Sequence, residues 1–219
     1  TGEGKLIRKT LDQLADEVRV LEQLWGEKAG PSVVFSTVSH QHIYGFLFRF
    51  LWPLLAEKPF WTQNLLFPDA LQAHMAMHAQ AVVVSCPAHL QRMPDLFDPD
   101  ILQEHCRVIF SSGGLLPTEH AHRMENMWKA PPVEVFGSTE TGGVAHRQQW
   151  IHTPDTPWTP LPDVELRTEG TEGQLSVRSP FVSSDCTDNA GWFAMGDKVA
   201  IRPDGTFDLK GRVDRIAKI

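Results

Sequence analysis

Four short runs of β-branched and aromatic residues constrain this chain more than anything else in it: SVVFS from Ser32, AVVVS from Ala81, RVIF from Arg107 and VEVF from Val133. The first two are continuous rather than alternating, the pattern of strands buried on both faces, and the other two read as further strands. Between them lie segments of helical character, over about residues 70–80 and 117–128. Alternating β and α pieces of this length predict an α/β fold, a mostly parallel sheet flanked by helices. Ahead of the first run, Ile7, Leu11, Leu14, Val18, Leu21 and Trp25 recur at steps of four and three. That stripe predicts a helix ended by Gly26 and packed on a domain face, with a dimerising coil as the alternative. FLFRFLWPLL, from Phe46, is apolar nearly all round and predicts a buried helix ending at Pro53.

After Gly143 the character changes. A proline-rich connector, HTPDTPWTPLP, leads into segments of period two, with Val164 and Leu166, then Leu175 and Val177, then Val199 and Ile201 before the turn Pro203-Asp204-Gly205. This part predicts a small antiparallel, barrel-like β subdomain. The expected division is an α/β subdomain over residues 1–149 and the antiparallel subdomain over 150–211.

Composition removes whole classes. With 42% hydrophobic and 21% charged residues the chain can bury a core, so global disorder is excluded. A net charge of −7 is the wrong sign for neutralising phosphates along a nucleic acid, so no nucleic-acid partner is expected. Three cysteines make no disulfide framework and fit a reducing cytoplasm. The longest apolar stretch, residues 43–55, contains Arg49 and Pro53 and is too short to span a bilayer. The start, TGEGKLIRKT, has no signal-peptide pattern and reads as the edge of a cut piece.

The stretch richest in chemistry is GSTETGG, Gly137 to Gly143. Small and hydroxylated residues after a buried strand turn N–H and O–H groups toward an anion. Glu140 would repel a phosphate unless a cation lies between them, and Mg²⁺ prefers carboxylate and phosphate oxygens. The bland alternative is an ordinary polar turn. Asp197, in GWFAMGD, can accept two hydrogen bonds from a ribose diol, and Arg212, in GRVDR, offers a planar fork to phosphate or ribose oxygens; each is otherwise a surface hairpin charge. The opening Thr1-Gly2-Glu3-Gly4-Lys5 has the chemistry of a phosphate loop. Among ten histidines, His74 and His78 have helical i,i+4 spacing, but the intervening residues lack the Glu of a zinc helix, and no cysteine pair has zinc spacing.

Taken in order, TGEGK, HIYG, SSGGLLP, FGSTETGG, GQLSVRSP, GWFAMGD and DGTFDLKGRVDRIAKI resemble the AMP-forming acyl-CoA synthetase, or acyl-adenylate ligase, superfamily. That family carries TGxPK, HxxG, a Gly-Gly turn, YGxTE, GELxVxSP, GWxxTGD and GRxDxxIK in the same order, and the likeness covers nearly the whole chain. The resemblance implies roles residue by residue. Thr1, Gly2 and Lys5 match the end of the phosphate loop, with Gly4 where the family usually has Pro. His42 matches the histidine beside the substrate carboxylate. Gly113 and Gly114 match the turn against adenine, and Phe136, in place of Tyr, the ring that packs on it. Gly137 and Ser138 belong to the same nucleotide-binding loop, Thr139 matches the α-phosphate contact and Glu140 the Mg²⁺ ligand. Asp197 matches the ribose aspartate, with Met195 replacing Thr, and Arg212 the ribose or phosphate arginine. Asp214 matches the hinge, so residues 212–219 are expected to lead toward a C-terminal domain.

By the same resemblance, the cofactors are ATP or AMP and Mg²⁺. The partners are a small aryl or acyl carboxylic acid and a thiol, on coenzyme A or on the phosphopantetheine of an acyl carrier protein. The chain is then expected to be the second half of the large domain. Without the rest of the phosphate loop and the lysine beyond the hinge, it is expected to be inactive alone and prone to form homo-oligomers. The alternatives are a catalytically inactive nucleotide-binding or interaction module and a carboxylate–histidine metal hydrolase.

Overall fold

In the computed structural model, which describes residues 6–153, 155–171 and 173–213, the four apolar runs lie side by side. They are β1 (Val33–Ser36), β2 (Ala81–Ser85), β3 (Cys106–Ser111) and β4 (Val133–Ser138), in that order and all parallel. The chain divides into two compact units. One comprises Val18–Phe136 and Arg147–Thr156; the other comprises the residues up to Glu17, Gly137–His146 and those from Pro157 on.

In the first unit, the unbroken apolar runs are explained by burial on both faces of the sheet. Every residue of β2 is buried. Because successive side chains alternate in direction, Phe35, Val83 and Ile109 join one core with Leu71, Met75, Leu102, Met124 and Trp128. Their neighbour Phe110 faces Trp25, Phe48 and Trp52 instead, with ring centroids 5.1, 5.0 and 5.7 Å away. Fully burying one such side chain is worth about 1.5–3 kcal/mol. The helices Pro68–Met75, Pro99–His105 and Thr118–Trp128 pack among these strands. The first is shorter than the expected 70–80, because it closes on three-residue turns, Met77 N–H to His74 O and His78 N–H to Met75 O.

Helix α1 (Leu11–Ala29) corrects the expected boundaries at both ends. It starts after Ile7 because Thr10 and Gln13 form a reciprocal capping box: Gln13 N–H donates to Thr10 Oγ1 at 3.1 Å, and Thr10 N–H to Gln13 Oε1 at 2.9 Å. It passes through Gly26 and ends before Gly30, whose φ of +56° is the left-handed region that suits glycine. Gly26 has a packing reason. A Cβ there would stand 2.3 Å from Glu22 Oε1, and the Glu22 carboxylate accepts from Trp52 Nε1 at 2.7 Å and Lys58 Nζ at 3.2 Å.

The apolar segment after β1 is helical through Ile43–Gly45, Phe46–Leu51 and Trp52–Leu55, so it does not stop at Pro53. Its middle is a π-helical stretch, with Trp52 N–H reaching back to Leu47 O. Pro53 then falls in the first turn of the last piece, where a missing N–H is tolerated. Leu47, Phe48 and Trp52 are buried, whereas Phe50, Leu54 and Leu55 are exposed. Arg49 is also buried, its guanidinium donating to Val38 O, Thr62 O and Asn64 Oδ1.

In the second unit, β5 (Gly142–Arg147) pairs antiparallel with β6 (Thr159–Pro160). A four-stranded antiparallel sheet runs β10 (Phe207–Arg212), β9 (Phe193–Ile201), β8 (Gln174–Arg178), β7 (Glu165–Glu169). The alternating residues pair as the period requires, Leu166 opposite Val177. Gly205, φ +86°, turns the β9–β10 hairpin, and Thr206 is tied there to Asp204. Leu175, Val177, Phe207 and Trp158 fill the core. Trp158 and Phe207 exchange backbone hydrogen bonds of 2.8 and 2.9 Å. Among the described residues no helix is long and apolar enough to cross a membrane, and no disulfide joins the three cysteines.

Candidate nucleotide-binding loop and its surroundings

Strand β4 runs out into Gly137 and Ser138, and β5 begins at Gly142. A Cβ on Gly137 would lie 2.1 Å from the Gly142 carbonyl oxygen, so only glycine allows this approach. Between them the turn is closed by its own hydroxyls. Ser138 N–H donates to Thr141 Oγ1 at 3.0 Å, Thr141 N–H to Ser138 Oγ at 3.2 Å, and the two hydroxyl oxygens are 3.1 Å apart. Ser138 is thus committed within the loop, while Thr139 at the tip is exposed and Glu140 partly so.

Two side chains from the beginning of the chain meet this loop. Lys9 Nζ donates to the carbonyls of Glu140, at 3.3 Å, and Phe181. Glu17 Oε1 accepts from Gly143 N–H at 2.6 Å. Burial pushes the Lys9 ammonium below its usual pKa, against the pull of Glu17. Burial pushes the Glu17 carboxyl up to about 7, with the Gly143 amide and Lys9 acting the other way. The charge pattern did not single out either residue. Glu17 carries a readable signal all the same: three residues past Leu14, it stands on the apolar stripe of α1, where a carboxylate needs a partner.

On the same unit, Asp197 and Arg212 face each other across β9 and β10, with Asp197 Oδ2 3.8 Å from Arg212 Nη1. The two residues assigned to ribose and phosphate are therefore neighbours. Asp197 is 15% exposed and Arg212 49%, so the guanidinium is the more accessible of the pair.

The other unit carries the Gly113–Gly114 turn, Phe136 and His42. Gly113 has φ +84°, and a Cβ on it would meet nothing within 4 Å; beside Gly114 there is only Pro87, at 3.8 Å. The turn therefore presents bare backbone. Ser112 Oγ donates to Val135 O at 2.8 Å, which ties the turn to β4, the strand that carries the half-buried Phe136. His42 is exposed at the N-terminus of the Ile43–Gly45 turn. The glycine of HIYG allows its helix to pass the preceding loop: a Cβ on Gly45 would stand 2.1 Å from Ser39 O, a backbone atom that cannot swing aside. Gly45→Ala is expected to cost at least about 1–3 kcal/mol, the range for forced overpacking, seen as a lowered urea midpoint with unchanged slope.

The two histidines with i,i+4 spacing pack on aromatic rings. His74 packs on Trp61, with ring centroids 4.3 Å apart, and His78 on Phe35 at 5.6 Å. Among the described residues no three His, Cys, Asp or Glu side chains are grouped to hold a metal ion. Thr1, Gly2, Lys5 and Asp214 lie outside the described residues.

The AMP-binding enzyme family matches residues 1–184. Among curated proteins, the chain is 28% identical over 219 residues to the 4-coumarate–CoA ligase of Cereibacter sphaeroides, which covers 99% of this chain and 44% of that protein. It is 26% identical over 179 residues to the L-proline–[L-prolyl-carrier protein] ligase of Pseudomonas fluorescens, covering 69% and 34%. The chain thus spans less than half the length of these relatives. Among solved structures, a malonyl-CoA ligase with methylmalonyl-CoA and AMP bound superposes with a TM-score of 0.81 at 21% identity, over 97% of this chain and 50% of that one. The O-succinylbenzoate coenzyme A synthetase of Bacillus subtilis, in complex with ATP and magnesium ion, gives 0.83 at 15%, over 97% and 48%. At such identities the superpositions speak for the fold.

Proposed function

Since the chain belongs to the AMP-binding enzyme family, we propose that it is the nucleotide-binding part of a cytoplasmic ATP-dependent acid–thiol ligase. A carboxylate oxygen of the substrate attacks the α-phosphorus of ATP and pyrophosphate leaves. The thiol of coenzyme A or of carrier-protein phosphopantetheine then bonds to the acyl carbon, and AMP leaves. The observation that carries this reading is the 138–141 turn, which ties its own Ser138 and Thr141 and leaves Thr139 and Glu140 accessible.

The roles are those the likeness to the family implies. Gly113 and Gly114 offer bare backbone to the adenine, and Phe136 a ring face. Thr139 donates to the α-phosphate, while Asp197 accepts from the ribose diol and Arg212 donates to ribose or phosphate oxygens. By the same likeness His42 is assigned to the substrate carboxylate, and Thr1, Gly2 and Lys5, which lie outside the described residues, to the phosphates. Among the described residues Glu140 belongs to no group of three side chains that could cage a metal ion. That suits Mg²⁺, which keeps several waters and is held by one or two carboxylates together with substrate phosphates. When bound, the ion supplies positive charge where carboxylate and phosphates must meet. Residues 212–219 serve as the hinge.

Acid-dependent pyrophosphate release by the full-length protein tests the reading. Glu140→Gln is expected to lower Mg-ATP affinity and adenylation while leaving AMP affinity nearly intact, because AMP carries less charge. No pyrophosphate release with any of a broad panel of aryl and acyl acids would leave only an inactive nucleotide-binding module. Equal losses for AMP and Mg-ATP would remove the metal role from Glu140.

A further inference from the structure

The turn that carries Thr139 and Glu140 is held at both ends by one rigid element. Lys9 lies just before the Thr10 cap of α1, and Glu17 two turns further along the helix. Lys9 helps to hold the Glu140 carbonyl, which also accepts from Ser183 N–H at 2.9 Å, and Glu17 holds the Gly143 amide. The carboxylate also stands against Gly142, φ +69°, where a Cβ would come within 2.4 Å of Glu17 Oε2. Neither the Thr139 nor the Glu140 side chain is used in any of these contacts.

Glu17 is an expensive way to fill its place. It is 1% exposed, on the stripe with Leu14, Val18 and Leu21, and its Oε2 makes no hydrogen bond. Burying an ionisable group with one oxygen unsatisfied is unfavourable, and an apolar residue of similar volume would pack there without that penalty. What Leu or Met could not do is accept the Gly143 N–H. The carboxylate therefore makes sense as a grip on the loop rather than as filling for the helix interface.

We propose that Lys9 and Glu17 are positioning residues: by holding the Glu140 carbonyl and the Gly143 amide they fix the backbone between them, so that Thr139 and Glu140 meet the nucleotide already in place. This rests on the function proposed above. Misplacing a reacting group by about 1 Å can reduce rate roughly a hundredfold. The adenine and ribose contacts are untouched, so the loss falls on turnover more than on binding.

The test uses Glu17→Gln, Glu17→Leu and Lys9→Met in the full-length protein, with pyrophosphate release for kinetics and amide hydrogen exchange over residues 138–143. Glu17→Leu and Lys9→Met are expected to lower kcat by about ten- to a hundredfold with KM for ATP changed by less than about threefold, and to speed exchange in the loop. Glu17→Gln, which keeps an acceptor for Gly143, is expected to stay within about threefold of the unmutated kcat. Burst amplitude measures the active fraction, so a loss explained by fewer folded molecules would overturn the proposal. So would a Glu17→Leu enzyme as fast as the unmutated one. If Glu17→Leu does not fold, Lys9→Met decides. If the unmutated protein releases no pyrophosphate, the functional reading fails on its own, and loop exchange unchanged in both variants would overturn the positioning role separately.

Discussion

Replacing Asp197 with alanine is expected to weaken nucleotide binding at least tenfold while lowering the melting temperature by no more than a few degrees. The separation follows from where the carboxylate sits. It faces Arg212 across the β9–β10 pair at 3.8 Å, with the guanidinium half exposed. An ion pair with an exposed partner contributes about 0–1 kcal/mol to stability, since water screens it and holding the arginine still is entropically unfavourable. A ribose diol offers two hydrogen bonds to the same carboxylate, each worth about 1.5–3 kcal/mol because the acceptor is charged. Losing even one is a tenfold effect or more on affinity. Calorimetry of AMP and Mg-ATP with the full-length protein reads the first quantity and thermal unfolding the second. Unchanged affinity would remove Asp197 from the nucleotide site, and a collapse of stability would make it a structural residue. Arg212→Gln gives an independent check, with a smaller loss expected because the carboxylate would keep the two ribose hydrogen bonds proposed for it.

What the chain showed in its sequence, and what it hid, divides along physical lines. Strands β1 and β2 were readable because burial on both faces demands unbroken apolar runs. The antiparallel part was readable because one buried face imposes alternation, as at Leu166 and Val177. Strand β5 gave no signal in the sequence, since Gly142 and Gly143 have no strand propensity. Their purpose is close approach, to the Gly137 backbone and to Glu17. The start of α1 was written in the Thr10–Gln13 box, a local signal weaker than the apolar stripe that overran it. The short helix Pro99–His105 had its Asp98 cap and N-terminal proline in plain view, but two turns are too few for a periodicity to stand out.

The loop itself was legible for the same reason as the cap: hydroxyl, carboxylate and glycine at fixed spacing are local chemistry. Its supports were not. Lys9 is 131 residues from Glu140, and Glu17 is 126 from Gly143, so only the folded chain brings them together. Asp197 and Arg212 lie between these cases. The hairpin turn fixes their register, so their facing each other could have been counted off from the turn, except that the bulge between Leu209 and Gly211 shifts the count by one.

Glu134→Ala is expected to reduce the free energy of unfolding by about 3–5 kcal/mol, the range for removing one member of a buried charged pair. Glu134 lies in the middle of VEVF, between two core valines, and is 2% exposed. Its Oε1 accepts from Arg147 Nε at 2.8 Å and Gln149 Nε2 at 2.6 Å; its Oε2 accepts from Leu116 N–H at 3.0 Å and Arg147 Nη2 at 3.3 Å. Gln149 in turn donates to Leu116 O and accepts from Thr118 Oγ1. One carboxylate thus joins β4, the Arg147–Gln149 segment and the loop just beyond the Gly113–Gly114 turn. Alanine takes away four acceptor contacts at once and leaves the Leu116 amide and the Gln149 side chain short of a bond inside the protein. Glu134→Gln keeps the shape but offers N–H groups where donors already point, so an intermediate loss of about 2 kcal/mol is expected. Glu134→Leu combined with Arg147→Met is expected to recover much of the stability lost by Glu134→Leu alone, because removing both charges avoids leaving one buried by itself. Urea unfolding measures all of these. A Glu134→Ala protein within about 1 kcal/mol of the unmutated one would mean that water reaches these groups and that the network contributes little. In that case the Gly113–Gly114 turn would owe its placement to Ser112 and Val135 instead.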